Sequence, residues 1–344
     1  ISCGNCIRVC KQNAKQIEDG TVPCLEFLEQ ASAGGRRVAA ILAPSFVASF
    51  YGVSPAALIR AMRRLGFSSI HEVAAGAEMT ALALRRYMRE RMGAGPGFKS
   101  PEPVITSPCP AVINLIEMHY PELIPNLAPI VSPMIALGRY LKAKDGTGTS
   151  AGRADPVIVF IGPCIAKKQE IKHPSVSGAV DAVLTFAELQ SLFSLKGLDP
   201  GTCDPGDPEP GGEFDPPEPG LGRIFPVGGG LLKTVSVDLD PLNPDVISVC
   251  GKEECIQTLQ AISSGSCRSK LVDMLFCNGC IDGPAINPWN HLNPPSLLER
   301  RQKVVDFTLE VHRRPPRAAP DLNRRRSEAC PTIEPAVLLD PGEI

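Results

Sequence analysis

The chain has 344 residues, 43% of them hydrophobic, with 35 Lys and Arg against 37 Asp and Glu and a formal net charge of −2. That apolar content can bury a real core and at this length divides into two lobes or domains, while the balanced charge excludes a global basic field for nucleic acid or membrane. No run of 18 or more apolar residues and no charged-then-apolar N-terminal signal occurs, so the sequence reads as soluble and cytoplasmic.

The first residue is Ile, and the chain reads as a piece of a longer polypeptide. It opens "ISCGNCIRVCKQNAKQI", in which Cys3, Cys6 and Cys10 stand as C-x2-C-x3-C, the last three-quarters of the bacterial ferredoxin run. The missing cysteine would sit immediately before Ile1, and Lys11 stands where Pro usually follows. Residues 1–36 are therefore expected to be a partial ferredoxin-like segment holding at most one [4Fe–4S] cluster, with Cys24 or the absent upstream residue as fourth ligand. A zinc site is the alternative for so short a cluster.

Thirteen cysteines in all are many for a reducing compartment, where disulfides do not persist. An odd number also leaves one over, so metal or cluster ligation is the expected use. Cys203, Cys250, Cys255, Cys267 and Cys330 stand outside any ligand-like spacing and read as buried small hydrophobes.

After Gly34 and Gly35 the composition changes to apolar runs alternating with amphipathic stretches. "RVAAILAP" (37 to 44) reads as a buried strand. "SPAALIRAMRRLGF" (54 to 67) reads as a helix capped by Ser54, with Pro55 in the first turn, Gly66 as the stop, and Leu58, Ile59, Met62 and Leu65 on its apolar face. The strand-then-helix rhythm returns at "PVITSPCPAVINLIEMHY" (103 to 120), "PVIVFIGPCIAKKQEI" (156 to 171) and "LVDMLFCNGCIDG" (271 to 283), which predicts α/β layers with mostly parallel strands. Two Pro, Gly and acid-rich stretches, 144–155 and 204–220, read as surface loops with too little apolar content to pack. The Pro and Arg-rich run 313–344 reads as a solvated linker or tail, since no aromatic or glycine interleaving accompanies its charge.

The cysteines fall where strands end. Cys109, Cys164 and Cys277 each follow a predicted strand and precede a turn or helix, the edge of an open parallel sheet where ligands bind. Pro110 places Cys109 at a helix N-terminus, whose dipole favours a thiolate. With Cys280, four thiols delivered to one side suit a cubane Fe–S cluster inside the fold. Buried inert cysteines explain any one of these positions, but explain all four at strand ends poorly.

"TSPCP" (106 to 110), "GPCIAKKQE" (162 to 170) and "MLFCNGCIDGP" (274 to 284) resemble the three motifs of the [FeFe]-hydrogenase large subunit, TSCCP, MPCxxKxxE and MACxxGCxxGGG. "ILAPSF", "LGFSSIHEVAAGAEMT", "YPELIPNLAPIVSP" and "FPVGGGLLKTV" also fall in family order, so the resemblance covers residues 37–312. It implies two α/β lobes with mostly parallel sheets clasping an H-cluster, preceded by the small ferredoxin-like segment that feeds it electrons. By the same resemblance Cys109, Cys164, Cys277 and Cys280 would ligate a cubane, with Cys280 bridging to a diiron subsite. Lys167 would hydrogen-bond a diiron cyanide, and Glu170 would orient Lys167. Cys164, Lys167 and Glu170 step by three and would share a helix face; an ordinary exposed ion pair is the plainer reading of the last two.

The departures from the family pattern gather on the proton path. The thiol that delivers protons in catalytic members is replaced by Pro108, the acids of their DLTIMEEATE run by Leu84 and Tyr87, and the Ser of their Asn-Leu-Ser stretch by Ala128. Proline has no ionisable group and relays no proton. Around the diiron position, Gly162 and Leu275 stand for methionines, the last motif is one residue shorter between its cysteines, and Gly283 and Pro284 replace its GGG.

The expected function is a hydrogenase-like iron–sulfur protein, a redox or H2 sensor or an electron relay with weak or no turnover. Its partners would be a ferredoxin or other electron carrier and regulatory domains of a longer chain. An active ferredoxin-dependent hydrogenase and an iron–sulfur assembly scaffold are the alternatives.

Overall fold

Uninterrupted apolar runs make the central strands. Strands buried on both faces cannot alternate polar and apolar residues, so they read as continuous hydrophobic sequence. In the computed structural model, which describes residues 1–12, 14–93, 103–147, 155–202, 211–237, 239–240, 242, 244–286 and 294–313, two such runs form β1 (Val38–Leu42) and β4 (Val157–Gly162), buried at every position. They pair in parallel with Ile41 opposite Phe160, and β2 (Ser69–Glu72) and β5 (Ala182–Thr185) complete a four-stranded sheet in the order β2-β1-β4-β5.

A second sheet takes the order β3-β7-β6, from β3 (Val104–Ile105), β6 (Val246–Cys250) and β7 (Leu271–Leu275), again all parallel. Two cores hold the sheets, and the larger reaches into both, taking in Val104 of β3 and Leu271 of β7. The larger is built around β1 and β4 with Phe46, Phe50, Phe186 and Phe193, and the smaller around Ile105, Val112, Leu259, Val272 and Met274. The architecture is α/β, two lobes with parallel sheets flanked by helices.

The helix Pro55–Arg64 shows how local chemistry sets a boundary. Ser54 Oγ accepts from Ala57 N at 3.1 Å, Pro55 opens the first turn, and the chain leaves the helix through Gly66 at a φ of 109°. Its face Leu58, Ile59, Met62 and Leu65 is buried. Two long helices, Val73–Gly93 and Pro133–Thr147, meet at Gly76, where a Cβ would collide with the Pro133 carbonyl.

Both loop expectations are corrected in part. Residues 144–147 continue the helix Pro133–Thr147, and 148–154 lie outside the described residues. In the second stretch, 204–210 lie outside, but 211–220 pack. Arg63 donates to Gly211 O at 3.0 Å and to Asp215 at 2.7 Å, Glu78 accepts the Gly220 N–H at 2.6 Å, and Phe214 meets Phe46 edge-on at 5.8 Å. Polar anchors and one aromatic hold what composition alone leaves loose. Of the run 313–344 only Arg313 is described, closing the helix Leu297–Arg313.

Candidate metal centre

Each cysteine of the candidate site is presented by a strand end. Cys109 is the N-cap of the helix Pro110–His119, its carbonyl accepting Val112 N at 3.0 Å. Cys164 follows β4, and Cys277 and Cys280 follow β7. The short Cys277-Asn278-Gly279-Cys280 turn depends on glycine: Gly279 has a φ of 83°, its N–H reaches the Cys277 carbonyl at 2.8 Å, and a Cβ there would lie 2.7 Å from the Pro226 carbonyl. That same Pro226 carbonyl accepts the Cys280 N–H at 2.8 Å.

The three strand ends belong to different sheets, which corrects the picture of one edge. β3 and β7 are neighbours in the smaller sheet, whereas Cys164 comes from the larger. The seam between the two sheets is where the thiols meet.

Their electrostatics show the meeting. Burial pushes Cys164 up to about 11, and Cys109 adds to it. Burial raises Cys280 well above a free thiol, reinforced by Cys164, Cys109 and Cys277, and burial with Cys109 and Cys164 raises Cys277. Cys109 corrects a sequence expectation. The N–H groups of Phe276, Val112 and Ala111 do pull it toward a thiolate, but desolvation outweighs them and its pKa rises.

Four crowded thiols of this kind resist ionising one at a time. A multiply charged iron centre lets all four become thiolates together, so the donor set fits a cubane. Among the described residues no three His, Cys, Asp or Glu side chains converge as a single metal ion requires; a cubane spreads its thiolates over four irons, one each, and needs no such convergence.

Lys167 Nζ donates to Glu170 Oε2 at 2.6 Å and to the Pro108 carbonyl at 3.4 Å. Both side chains are only about one-tenth exposed, 10% and 11%, so this is no ordinary surface pair. The cation lowers the pKa of Cys109, Cys164 and Cys280 against the burial that raises them.

The N-terminal cysteines part company. Arg8 Nη2 donates to Asp282 O at 2.7 Å, Asn114 Nδ2 to Ile1 O at 3.3 Å, Gly4 packs on Ile165 and Pro284, and Cys3 is close enough to raise Cys277. Cys3, Cys6 and Cys10 are thus carried against the loop that follows Cys280, with Cys6 exposed. Cys24 is instead fully buried on the helix Thr21–Ser32 in the larger core, pushed to about 12 by burial and then by Glu188.

Of the five cysteines set aside as packing residues, Cys255 is fully buried and Cys250 and Cys267 are half-buried; Cys203 and Cys330 lie outside the described residues. Two of them stand beside the centre. Burial, with Cys109 among other charges, raises Cys250, and burial with Cys109, Cys250 and Cys277 raises Cys255. No spacing rule signals them, because Cys250 ends β6, a strand the sequence pattern passes over.

The altered positions also gather. Pro108, Leu84 and Ala128 line one cavity with Thr106 and Phe225, of about 10 Å³ and so room for about one water. Tyr87 retains a hydroxyl, but its ring lies under the Arg91 guanidinium at 5.0 Å. At Gly162 the Phe160 ring fills the space a longer side chain would need.

The sequence matches the family described as iron only hydrogenase large subunit, C-terminal domain, over residues 36–284. It is 28% identical over 250 residues to the NADP-reducing hydrogenase subunit HndD of Solidesulfovibrio fructosivorans, covering 67% of this chain and 41% of that one. It is 31% identical over 108 residues to the cytosolic Fe-S cluster assembly factor NAR1 homolog of Schizosaccharomyces japonicus, covering 30% and 21%. The chain therefore spans less than half the length of these relatives. Its fold is similar to that of the [FeFe]-hydrogenase HydA1 from Chlamydomonas reinhardtii, with a TM-score of 0.65 at 20% identity over 84% of this chain and 88% of that one. The chain belongs to the iron-only hydrogenase large-subunit family, whose C-terminal domain it carries.

Proposed function

We propose that the chain is a hydrogenase-type iron–sulfur protein that senses redox state or H2, or relays electrons, with weak or no H2 turnover. The observation that carries this reading is the cavity lined by Pro108, Leu84 and Ala128. Three positions where catalytic relatives place proton carriers line one small space, and Pro108, Leu84 and Ala128 each bring to it a side chain with no exchangeable proton. Removing a general acid typically costs about 10² to 10⁴ in rate, a loss that a sensor tolerates and a bulk catalyst does not.

When bound, a cubane supplies one-electron storage. Cys109, Cys164, Cys277 and Cys280 would hold it, and Lys167, fixed by Glu170, would sit beside it as a cation. Cys280 would also bridge a diiron subsite if one is installed. The contacts of Ile1, Gly4 and Arg8 with the body of the protein support electron entry from a [4Fe–4S] cluster on Cys3, Cys6 and Cys10, from which Cys24, buried in the larger core, stands apart. The electron partner would be a ferredoxin or other one-electron carrier, with output through further domains of a longer chain. Among the described residues no helix is long and apolar enough to cross a membrane; the relative named as a cytosolic assembly factor supports action in the cytoplasm. The assembly-factor relative supports a second reading, a scaffold that keeps cubanes and carries no diiron unit.

Infrared spectroscopy of anaerobic protein matured with the diiron assembly machinery tests this. Bands from iron-bound CO and CN⁻ place the chain among H2-responsive proteins. Their absence, with iron and sulfide in cubane amounts, removes every hydrogen reading and leaves the relay or scaffold.

In protein that shows those bands, Pro108→Cys alone is expected to leave H2 evolution within about twofold of the parent, because Leu84 and Ala128 still interrupt the path. Combined with Leu84→Glu and Ala128→Ser it should raise the rate by about 10² or more. A full gain from Pro108→Cys alone would show that the missing thiol is the whole deficit.

A further inference from the structure

Asp273 lies at the middle of β7, the central strand of the smaller sheet, and is 1% exposed. Its partners among the described residues are two neutral hydroxyls: Thr106 Oγ1 donates to Oδ1 at 3.0 Å and Ser248 Oγ to Oδ2 at 3.3 Å. No Lys or Arg pairs with it there. A buried carboxylate with no counter-ion is expensive to keep charged. Accordingly burial pushes Asp273 up to about 6, against the two hydroxyls that hold it down.

The two hydroxyls lead to different places. Thr106 lines the small cavity beside Pro108, and Ser248 lies on β6, which is half-buried along its length. Ser248, Asp273 and Thr106 therefore form a hydroxyl–carboxyl–hydroxyl chain across three strands, from the accessible face of the sheet to the space where the family's proton carriers have been replaced. Cys250 lies beside this chain, raised by burial and then by Asp273, with Cys109 near enough to add to both.

We infer that Asp273 is the proton acceptor linked to reduction of the iron–sulfur centre: as the centre held by Cys109, Cys164, Cys277 and Cys280 gains one electron, the Asp273 carboxylate takes up one proton through Ser248. This rests on the cubane reading above. The electron comes from a low-potential one-electron carrier, the proton comes from solvent, and the charge of the buried site is unchanged overall. The physical cause is that added negative charge nearby favours the neutral acid.

The groups facing Asp273 leave it as the site that titrates. From β3 it meets the neutral Thr106, and from β6 it meets Ser248 and the Cys250 thiol. Behind them, on the helix Lys252–Ser263, the Cys255 thiol faces Cys250 and feels Glu254. Burial holds Cys250 at about 11 and raises Cys255 as well, so neither thiol exchanges a proton near neutrality.

The test is a redox titration of the full chain, reconstituted anaerobically with iron and sulfide and followed by electron paramagnetic resonance across about pH 5 to pH 8. The midpoint potential should be flat below the Asp273 pKa, which burial raises above the ordinary carboxylate range. Above it the potential should fall by about 59 mV for each tenfold drop in proton activity, the one-electron equivalent of one proton. Asp273→Asn should abolish the slope. Ser248→Ala, which removes a donor that favours the carboxylate, should move the break to higher pH, and it decides the matter if the Asn variant does not load. A flat profile in the parent, a slope that survives Asp273→Asn, or a break unmoved by Ser248→Ala overturns the inference while leaving the cubane in place. A chain that takes up no cubane overturns the functional reading and the inference together.

Discussion

Cys164→Ser is expected to leave the anaerobically reconstituted protein about four iron atoms per chain poorer than the parent, because the whole [4Fe–4S] unit is lost with any one of its thiolates. Cys109→Ser, Cys277→Ser and Cys280→Ser should do the same. Cys255→Ser and Cys267→Ser should retain the iron, although Cys255 is the more deeply buried. Cys255 Sγ only donates to the Leu275 carbonyl at 3.4 Å, a role a serine hydroxyl can fill.

Iron and sulfide analysis of all six variants separates ligands from bystanders. Retention of four irons in Cys164→Ser would remove the cross-sheet assignment. The same thiols set a pH dependence. Each is raised by burial and is neutral in the metal-free protein near neutrality, so ligation expels as many as four protons. Affinity therefore rises with pH and is lost as pH falls, by up to tenfold per unit for each proton released.

The second large effect lies away from the centre. At the end of β2, Glu72 is 2% exposed and forms a bidentate pair with Arg223: Arg223 Nε donates to Glu72 Oε2 at 2.6 Å, and Nη2 donates to Oε1. The guanidinium also lies 4.9 Å from the Phe307 ring centroid, and Phe307 meets Phe46 edge-on at 5.3 Å. The pair thus joins β2 to the helix Leu297–Arg313.

Arg223→Ala leaves a carboxylate in the core without its cation and should destabilise the fold by about 3–5 kcal/mol, read from the midpoint of denaturant unfolding. Burial already raises the Glu72 pKa, with Arg223 opposing it. Without the arginine it rises further, so the lost stability should be greatest above that pKa and partly return as pH falls and Glu72 takes a proton. A paired Glu72→Leu, Arg223→Met substitution should recover most of the loss, since packed apolar residues replace a buried ion pair at little cost. Equal deficits in the single and double variants would show that shape rather than charge is at stake.

The placement of Cys164 and Cys277 after strands was legible in the sequence because parallel strands announce themselves as apolar runs. The helix Pro55–Arg64 was equally plain, since Ser54, Pro55 and Gly66 act locally. What stayed hidden is what depends on pairing. β2, β5 and β6 are four or five residues long and carry little periodic signal, so the division into two sheets came from the family resemblance and not from periodicity. Asp273 looks like an ordinary polar interruption of a strand until Thr106 and Ser248 arrive on either side. Glu72 and Arg223 stand far apart in the chain and become partners only through tertiary packing. At Cys109 the local rule was sound but too weak: the helix N-terminus acts on the thiol, and desolvation acts more strongly.

That one thiol comes from the larger sheet and three from the smaller has a mechanical consequence. A cluster spanning the seam is a cross-link, closing long stretches of chain as a disulfide does and opposing separation of the two halves. With iron in place, backbone amides of β4 and β7 should resist hydrogen exchange as one cooperative block. In the metal-free chain the seam is held by apolar packing, through Val104 and Leu271 in the larger core, and the two sheets should exchange less cooperatively. Loss of the cluster would thereby be felt as slackness across the whole molecule, a mechanical change that needs no further electron transfer.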